Sequence, residues 1–261
     1  TDASIRTWDS SVGRYLWAYD VVNENEYYWN EEQCYNYLID ISTGKKIVLN
    51  LVSKKVHSGF RTVFKSPQEK FAIWFDYDKN RYFTYEIQTG RTRVIAGVPG
   101  VAWTNSDIDI PARVGTFGLP VWTRGDEGVI LRDGFDLWEV NPRGGRPTTN
   151  LTEGIGRQNR IVFSIVGANS DQALSEEFII SGFKQHNKQN GFFRYSRKAG
   201  FEFNAKGMQD YVFHDNASER GMGFGRQLVS ASPIKANHAD VYLVQRMSAS
   251  ESPNLFITSD F

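Results

Sequence analysis

The chain has 261 residues, of which 40% are hydrophobic and 14% aromatic, so it can bury a sizeable core as one large β domain or two smaller domains. Its 30 Lys and Arg residues are balanced by 30 Asp and Glu residues, so the formal net charge is zero. Nucleic-acid-binding proteins usually carry an excess of basic residues, so the composition does not favour that class. The single cysteine, Cys34, excludes an internal disulfide bond, and no apolar run reaches the 18 residues of a membrane-spanning helix.

A strand rich in aromatic residues, a polar turn with glycine and a second strand recur along the chain. The copies are YNYLIDISTGKKIVLN (35–50), YFTYEIQTGRTRVIA (82–96), FDLWEVNPRGGRPTTNLT (135–152) and GFFRYSRKAGFEF (191–203). Their turn glycines are Gly44, Gly90, Gly145 and Gly200, with spacings of 46, 55 and 55 residues. Residues 253–261, PNLFITSDF, read as a fifth copy that stops at its turn.

Residues 125–145 show this pattern most clearly. A short apolar run at 129–131 is followed by a turn at 133–136, by a second apolar run at 137–140 and by a Pro- and Gly-containing turn at 141–145. Such runs, bounded by turn residues, predict a β-hairpin that leads into a third strand.

A period of about 50 residues is typical of the four-stranded blades of a β-propeller. We therefore predict an all-β fold with about five blades, which form part of a larger propeller. The predicted blade-like repeats are 1–50, 51–97, 98–153, 154–207 and 208–261. Helix signals are weak, although residues 170–180, SDQALSEEFII, could form one or two helical turns.

Residues 136–159, DLWEVNPRGGRPTTNLTEGIGRQN, resemble a blade-to-blade passage in the propeller of bacterial family S9 serine peptidases. That family includes prolyl oligopeptidase and dipeptidyl peptidase IV. Three shorter stretches, YYWN (27–30), KNRYFTYEIQTGRTR (79–93) and ADVYLVQRMSASESPNLFITSDF (239–261), are similar to the same proteins. The first passage is the centre of a longer similar stretch, residues 121–163, and the four stretches are spread along most of the chain.

The resemblance implies a role as the non-catalytic propeller of a serine peptidase. Members of the family carry an α/β-hydrolase domain whose nucleophile lies in Gly-x-Ser-x-Gly, and this chain has no such motif. We therefore expect the chain alone not to be catalytic, and to gate and orient short peptides for a hydrolase domain of its parent protein. We also expect it to need no cofactor and to self-associate through its terminal blades if these lack neighbours.

The sequence itself does not report a compartment, whereas the resemblance favours a periplasmic or secreted protein. The chain begins with Thr1 instead of Met, so we expect a processed or trimmed product. Two other functions stay open at this point: a stand-alone binding or scaffold propeller, and a propeller glycosidase with carboxylates from separate blades.

Glu31 and Glu32 are the candidate substrate-binding residues. In dipeptidyl peptidase IV-like members, paired Glu residues in a Trp-rich acidic segment bind the free amino terminus of the peptide. Here the pair follows Trp29 but leads directly into a predicted strand, so the end of a hairpin is the alternative interpretation.

No metal site is predicted. Asp76, Asp78 and Asn80 have the alternate spacing of calcium ligands, but the glycine and the later glutamate of a calcium loop are absent, which favours a hairpin turn. The four histidines are not spaced as metal ligands. They are His57, His186, His214 and His238.

Overall fold

The computed structural model of the chain describes residues 13–21, 33–54, 63–104, 115–168, 171–211 and 233–260. Within these ranges the regular structure is almost entirely β-strand, which confirms the all-β prediction. The helical segments of the described residues are short: helix α1, Ile155–Asn159, and two 3-10 turns, Arg124–Asp126 and Ala205–Gly207. None of them is long and apolar enough to cross a membrane.

The described strands form five sheets, and in each sheet the strands are neighbours in the order of the sequence. Sheet 1 contains β1 (Tyr15–Val21), β2 (Gln33–Asp40) and β3 (Lys45–Lys54), and sheet 2 contains β4 (Val63–Lys65), β5 (Phe71–Asp76), β6 (Arg81–Glu86) and β7 (Arg91–Ile95). Sheet 3 contains β8 (Val121–Trp122), β9 (Val129–Arg132), β10 (Leu137–Val140) and β11 (Thr149–Asn150). Sheet 4 contains β12 (Ile161–Ile165), β13 (Glu177–Lys184), β14 (Asn190–Ser196) and β15 (Gly200–Glu202), and sheet 5 contains β16 (Ile234–Lys235), β17 (Tyr242–Arg246) and β18 (Asn254–Thr258).

The four turn glycines of the sequence pattern occupy the same place in successive sheets. Gly44, Gly90 and Gly145 lie between the last two strands of sheets 1 to 3, and Gly200 is the first residue of β15, the last strand of sheet 4. All four have positive φ, between 68° and 85°, a backbone conformation that glycine adopts without the steric cost of a Cβ atom. The division of the chain into blades at the boundaries given above remains a prediction.

The chain divides into two compact units, which are described separately. The first consists of Thr1–Asp133, Glu139–Thr149 and Asn169–Ala173, and the second of Gly134–Trp138, Asn150–Ala168 and Leu174–Phe261.

In the first unit, sheets 1 and 2 pack face to face. Their shared core consists of Trp17, Leu38 and Leu49 from sheet 1 and Val63, Ala72 and Trp74 from sheet 2. Ala72 and Trp74 are two residues apart on β5 and therefore point to the same face of the sheet. The Nε1–H of Trp17 donates a buried hydrogen bond to Asn36 Oδ1 (3.1 Å). The indole N–H therefore has a partner although the ring is buried.

Sheet 2 is covered on both of its faces. Every residue of β5 from Phe71 to Phe75 is buried, which requires neighbours on both sides because successive side chains point to opposite faces. On the face away from sheet 1, the ring of Phe71 stacks on Trp122 of β8, with centroids 5.9 Å apart. This is the sheet-on-sheet layering that a repeated four-stranded unit predicts.

The second unit has an aromatic core built on sheet 4. The ring of Phe163 makes edge-to-face contacts with Phe193 (5.8 Å between centroids) and Phe201 (5.1 Å), and Phe203 packs against Phe193 at 5.0 Å. Such pairs add to the hydrophobic stabilisation that burial provides.

The helical alternative for residues 170–180 is wrong wherever the structure describes them. Strand β13 begins at Glu177, and residues 171–176 form turns and a bridge. Pairing with β14 decides the outcome: Phe178 lies opposite Tyr195 with its ring stacked at 4.7 Å, and the β-branched Ile179 and Ile180 suit a strand. Tertiary pairing therefore overrides the local helical signal.

Candidate functional site

Glu31 and Glu32 lie outside the described residues. Their predicted role in binding a peptide amino terminus is therefore neither supported nor contradicted by the structure. His57 and His214 also lie outside the described residues.

The other candidate ligands are accounted for by turns. Asp76 Oδ1 accepts hydrogen bonds from the backbone N–H groups of Asp78 (3.1 Å) and Lys79 (3.0 Å), and its Oδ2 pairs with Lys79 Nζ at 2.9 Å. The hairpin interpretation of this segment is confirmed. His186 and His238 are exposed, in a turn and a bend. Among the described residues, no group of three or more His, Cys, Asp or Glu side chains is placed to hold a metal ion.

The most elaborate polar arrangement of the first unit is a set of buried or half-buried carboxylates at one end of sheet 2. Glu69 and Asp126 accept hydrogen bonds from backbone N–H groups of a neighbouring segment, and Glu86 binds the guanidinium groups of Arg93 and Arg143. We call Glu69, Glu86 and Asp126 the carboxylate joint. Phe71, which follows the turn at 66–70, is the register partner of Glu86, so all of these contacts lie at the same end of the sheet.

Glu69 connects sheet 2 to sheet 1. Its carboxylate accepts the N–H of Arg14 (2.7 Å) and of Tyr15 (3.1 Å) at the start of β1, together with a bond from Lys65 Nζ (2.7 Å). Burial by itself would raise the pKa of Glu69, but the bonds from Lys65 and from these two amides outweigh it and lower the pKa. A side chain at Gly13 would collide with this carboxylate, since a Cβ there would lie 2.0 Å from Glu69 Oε1.

Asp126 makes the equivalent connection between sheet 2 and the loop before β9. It is fully buried, and its Oδ2 accepts the N–H of Gln68 at 3.0 Å. Beside it, Lys70 Nζ donates to the carbonyl of Gly125 at 2.8 Å. Asp126 and Glu69 both have positive φ, 58° and 55°, so each holds a strained backbone conformation at the point where its carboxylate reaches the neighbouring segment.

Glu86 carries the ionic part of the joint. Its carboxylate accepts bonds from Thr89 Oγ1 (2.7 Å), Arg143 Nε (2.7 Å) and Arg93 Nη1 (3.1 Å), and its side chain is 8% exposed. The bonds from Thr89 and Arg143 lower the pKa of Glu86 to about 2, from an ordinary value of 4.5. The carboxylate is therefore ionised over the whole neutral range.

Two further contacts attach the turn that contains Arg143 to sheet 2. Thr84 Oγ1 donates a buried hydrogen bond to the carbonyl of Pro142 (2.6 Å), and the Arg143 guanidinium lies over the ring of Phe71, 4.9 Å from its centroid. The hydroxyl, the ion pair and the ring contact together fix the position of the turn at 141–145 on β5 and β6.

Replacing Glu86 with glutamine should lower the free energy of unfolding at neutral pH by about 1–2 kcal/mol, because charge-assisted hydrogen bonds to two arginines are weakened. The folded-state pKa lies below the unfolded one, so this stabilisation is present above the ordinary value of 4.5 and is lost as the pH falls towards about 2. Urea denaturation over this pH range measures the difference between wild type and variant, which should narrow on acidification. Glu127→Gln, at an exposed carboxylate, is the control and should change little at any pH. A constant difference between wild type and Glu86→Gln at all pH values would contradict the ionic role of Glu86.

In the second unit, the two ends of the passage that resembles the S9 peptidases are joined by Asp136. Asp136 is buried, and its carboxylate accepts bonds from Thr152 Oγ1 (2.7 Å) and from the N–H groups of Gly156 (3.0 Å) and Arg157 (3.2 Å). A carboxylate at the amino-terminal turn of a helix satisfies amides that have no partner within the helix. Asp136 thus holds α1 against the segment before β10.

These carboxylates share a structural role. Glu69, Glu86, Asp126 and Asp136 each accept bonds from backbone amides, hydroxyls or cations that hold neighbouring segments together. Sequence reasoning missed all four roles. Asp136 does begin the passage that resembles the S9 propellers. That passage indicates a family, but it does not by itself predict that the Asp136 carboxylate caps a helix.

Comparison with known proteins supports the fold but does not establish a family. No protein-family model matches the chain, and no curated protein matches it. Among solved structures, dipeptidyl peptidase 4 from Porphyromonas gingivalis superposes with a TM-score of 0.54 at 10% identity, covering 94% of this chain and 36% of that one. The chain therefore spans little more than a third of the length of that peptidase.

A second solved structure is the β-propeller domain of the Trilobed protease from Pyrococcus furiosus. It aligns with a TM-score of 0.31 at 9% identity, covering 98% of this chain and 94% of that domain. The conclusion about the fold rests on the first comparison and on the five antiparallel sheets. The chain has an all-β, β-propeller-like fold, as the sequence pattern predicts.

Proposed function

We propose that this chain is the non-catalytic propeller part of a serine peptidase of family S9, and that it admits short peptides to an α/β-hydrolase domain of the same parent protein. The observation that carries the proposal is the fold likeness to a dipeptidyl peptidase over 94% of this chain, when only 36% of that peptidase is covered. The proposed mechanism is size exclusion, in which stacked sheets restrict access to short peptides or loose termini.

The local structure of residues 136–159 supports this proposal. The passage with the most specific resemblance to S9 propellers here forms a helix cap and a tight turn, which are structural roles. A propeller region is expected to share structural joints, and not catalytic groups, with its relatives. The absence of Gly-x-Ser-x-Gly from the 261 residues agrees with a chain that supplies no nucleophile elbow.

The carboxylate joint gives the proposed wall its rigidity. A wall that excludes large substrates must keep its sheets in register, and Glu69, Glu86 and Asp126 link consecutive segments of the first unit by hydrogen bonds and ion pairs. Glu31 and Glu32 remain the residues that we propose for contact with a peptide amino terminus, where two carboxylates would bind an ammonium group by charge-assisted hydrogen bonds.

Glu69, Glu86, Asp126 and Asp136 are not candidates for the carboxyl pair of the glycosidase alternative. That chemistry needs two carboxyl groups free to act as acid and as base or nucleophile. Glu69, Glu86, Asp126 and Asp136 are instead engaged by amides, hydroxyls and cations.

Hydrolysis assays test the proposal directly. The purified chain should hydrolyse neither a chromogenic dipeptide amide nor chromogenic glycosides, whereas the product of the complete gene should cleave the dipeptide amide. Glycoside hydrolysis by the chain would establish the glycosidase alternative. A complete gene product that binds peptides without cleaving them would establish a binding propeller, and either result would overturn the proposal.

A further inference from the structure

One face of sheet 5 is aliphatic and exposed. Ile234 lies opposite Leu243, which in turn lies opposite Ile257, so the three side chains form a row across β16, β17 and β18. Leu255, two residues before Ile257, lies on the same face. The four residues are between 36% and 76% exposed, and we call them the aliphatic face.

The opposite face of the same sheet is packed. Val244 is only 5% exposed and lies opposite Phe256. The guanidinium of Arg246 lies between two rings, 3.9 Å from the centroid of Phe256 and 4.3 Å from that of Tyr211. Burial therefore alternates along β17 as it does in a sheet with one covered and one uncovered face.

Sheets 1 and 2 show how an apolar sheet face is covered in this chain. Sheets 1 and 2 bring Trp17, Leu38 and Leu49 against Ala72 and Trp74, so that two apolar sheet faces bury each other. The aliphatic face has the same composition of large apolar residues but is exposed. Its chemistry therefore fits a second apolar sheet face.

The aliphatic face carries no charge. The strand positions on this side of the sheet are Ile234, Leu243, Gln245, Leu255 and Ile257, none of which ionises. Two copies of the face can therefore approach each other around a two-fold axis without repulsion between like charges. An ionic partner, such as an anionic surface, would find no cation among these five residues of the aliphatic side.

We propose that the aliphatic face is a self-association surface, on which sheet 5 of a second copy of this chain packs face to face. The exposed area of its four residues is on the order of 400 Å², the size that the largest apolar patch of a soluble protein has, and such patches are often functional. A standard interface buries ~800 Å² on each partner, a little more than half of it non-polar, so the aliphatic face supplies about the apolar share that a dimer requires. In a larger propeller a neighbouring blade would cover this face, so the inference concerns the 261-residue chain by itself.

Analytical ultracentrifugation of the 261-residue chain over a dilution series tests the proposal. The wild type should sediment as a dimer that dissociates on dilution. Ile257→Lys should weaken dimerisation at least tenfold, because it buries a charge without a partner within the interface. The matched control is Val94→Lys on β7, an aliphatic residue on an edge strand of sheet 2 that is 47% exposed, and it should leave the dimer unchanged.

Circular dichroism of each variant serves as the control for folding. If Ile257→Lys does not fold, Leu255→Ser at the neighbouring position of the aliphatic face replaces it and should also weaken the dimer. A wild type that stays monomeric at every concentration would overturn the proposal and would assign the face to an intramolecular neighbour. A dimer that is equally stable in Ile257→Lys, or equally weakened in Val94→Lys, would also overturn it.

Discussion

Replacing Trp17 with alanine should lower the free energy of unfolding of the first unit by about 3–5 kcal/mol. The indole is 2% exposed and fills the space between sheets 1 and 2, so its removal leaves a cavity that the surrounding strands fill only in part. The substitution also removes the Nε1–H that Asn36 accepts inside the core. Urea denaturation monitored by far-UV circular dichroism measures the loss.

The control for Trp17 is Val48→Ala on β3. Val48 is 49% exposed, and its removal should change the free energy of unfolding by no more than about 0.5 kcal/mol. Equal denaturation midpoints for Trp17→Ala and the wild type would show that sheets 1 and 2 do not stabilise each other through this core.

Gly156→Ala should destabilise the second unit by about 2–3 kcal/mol, through overpacking. A Cβ atom at this position would lie 2.7 Å from Asp136 Oδ1, 2.8 Å from the carbonyl oxygen of Phe135 and 2.9 Å from that of Ile161. Two of these atoms are backbone and the third is held by Thr152 and the helix amides, so no neighbour can give way cheaply. The shift in the midpoint of urea denaturation measures the effect.

Gly97→Ala is the matched glycine control. The nearest atom to a Cβ there is Arg81 Nη1 at 3.9 Å, and the position is exposed, so the substitution should be neutral or slightly stabilising. If Gly156→Ala unfolds at the same urea concentration as Gly97→Ala, Asp136 does not cap α1 as described.

The repeated turns are the part of the fold that the sequence predicts best. A polar turn with glycine between two apolar runs is a local signal, and glycine suits the positive φ that Gly44, Gly90 and Gly200 adopt. The hairpin predicted within residues 125–145 appears as β9 and β10, with the turn where the sequence places it.

The carboxylate joint could not be predicted in the same way. Glu69 and Asp126 adopt a left-handed conformation that is unusual for their residue types, and their partners are 55 and 58 residues away in the sequence. Short helix α1 was also missed, because it depends on Asp136, which lies 20 residues before the amide of Gly156. Interactions that only the tertiary structure creates leave no periodic signal.

The sequence was equally unable to identify the binding residues by their spacing alone. The resemblance points to Glu31 and Glu32, and paired carboxylates suit an ammonium group. Two adjacent glutamates, however, occur both in binding sites and at the polar ends of hairpins, and the sequence does not distinguish the two. The calcium-like spacing of Asp76, Asp78 and Asn80 shows the difficulty, since it proves to be turn chemistry in which Asp76 binds backbone amides and Lys79.

We propose that this chain is a non-catalytic propeller of a serine peptidase. The most direct test is to label the product of the complete gene with a fluorophosphonate probe and to locate the modified residue by mass spectrometry, with the 261-residue chain treated in parallel. The account predicts one labelled serine outside residues 1–261 and no labelling of the chain alone. A labelled serine within the chain, or a complete product that the probe does not modify, would contradict it.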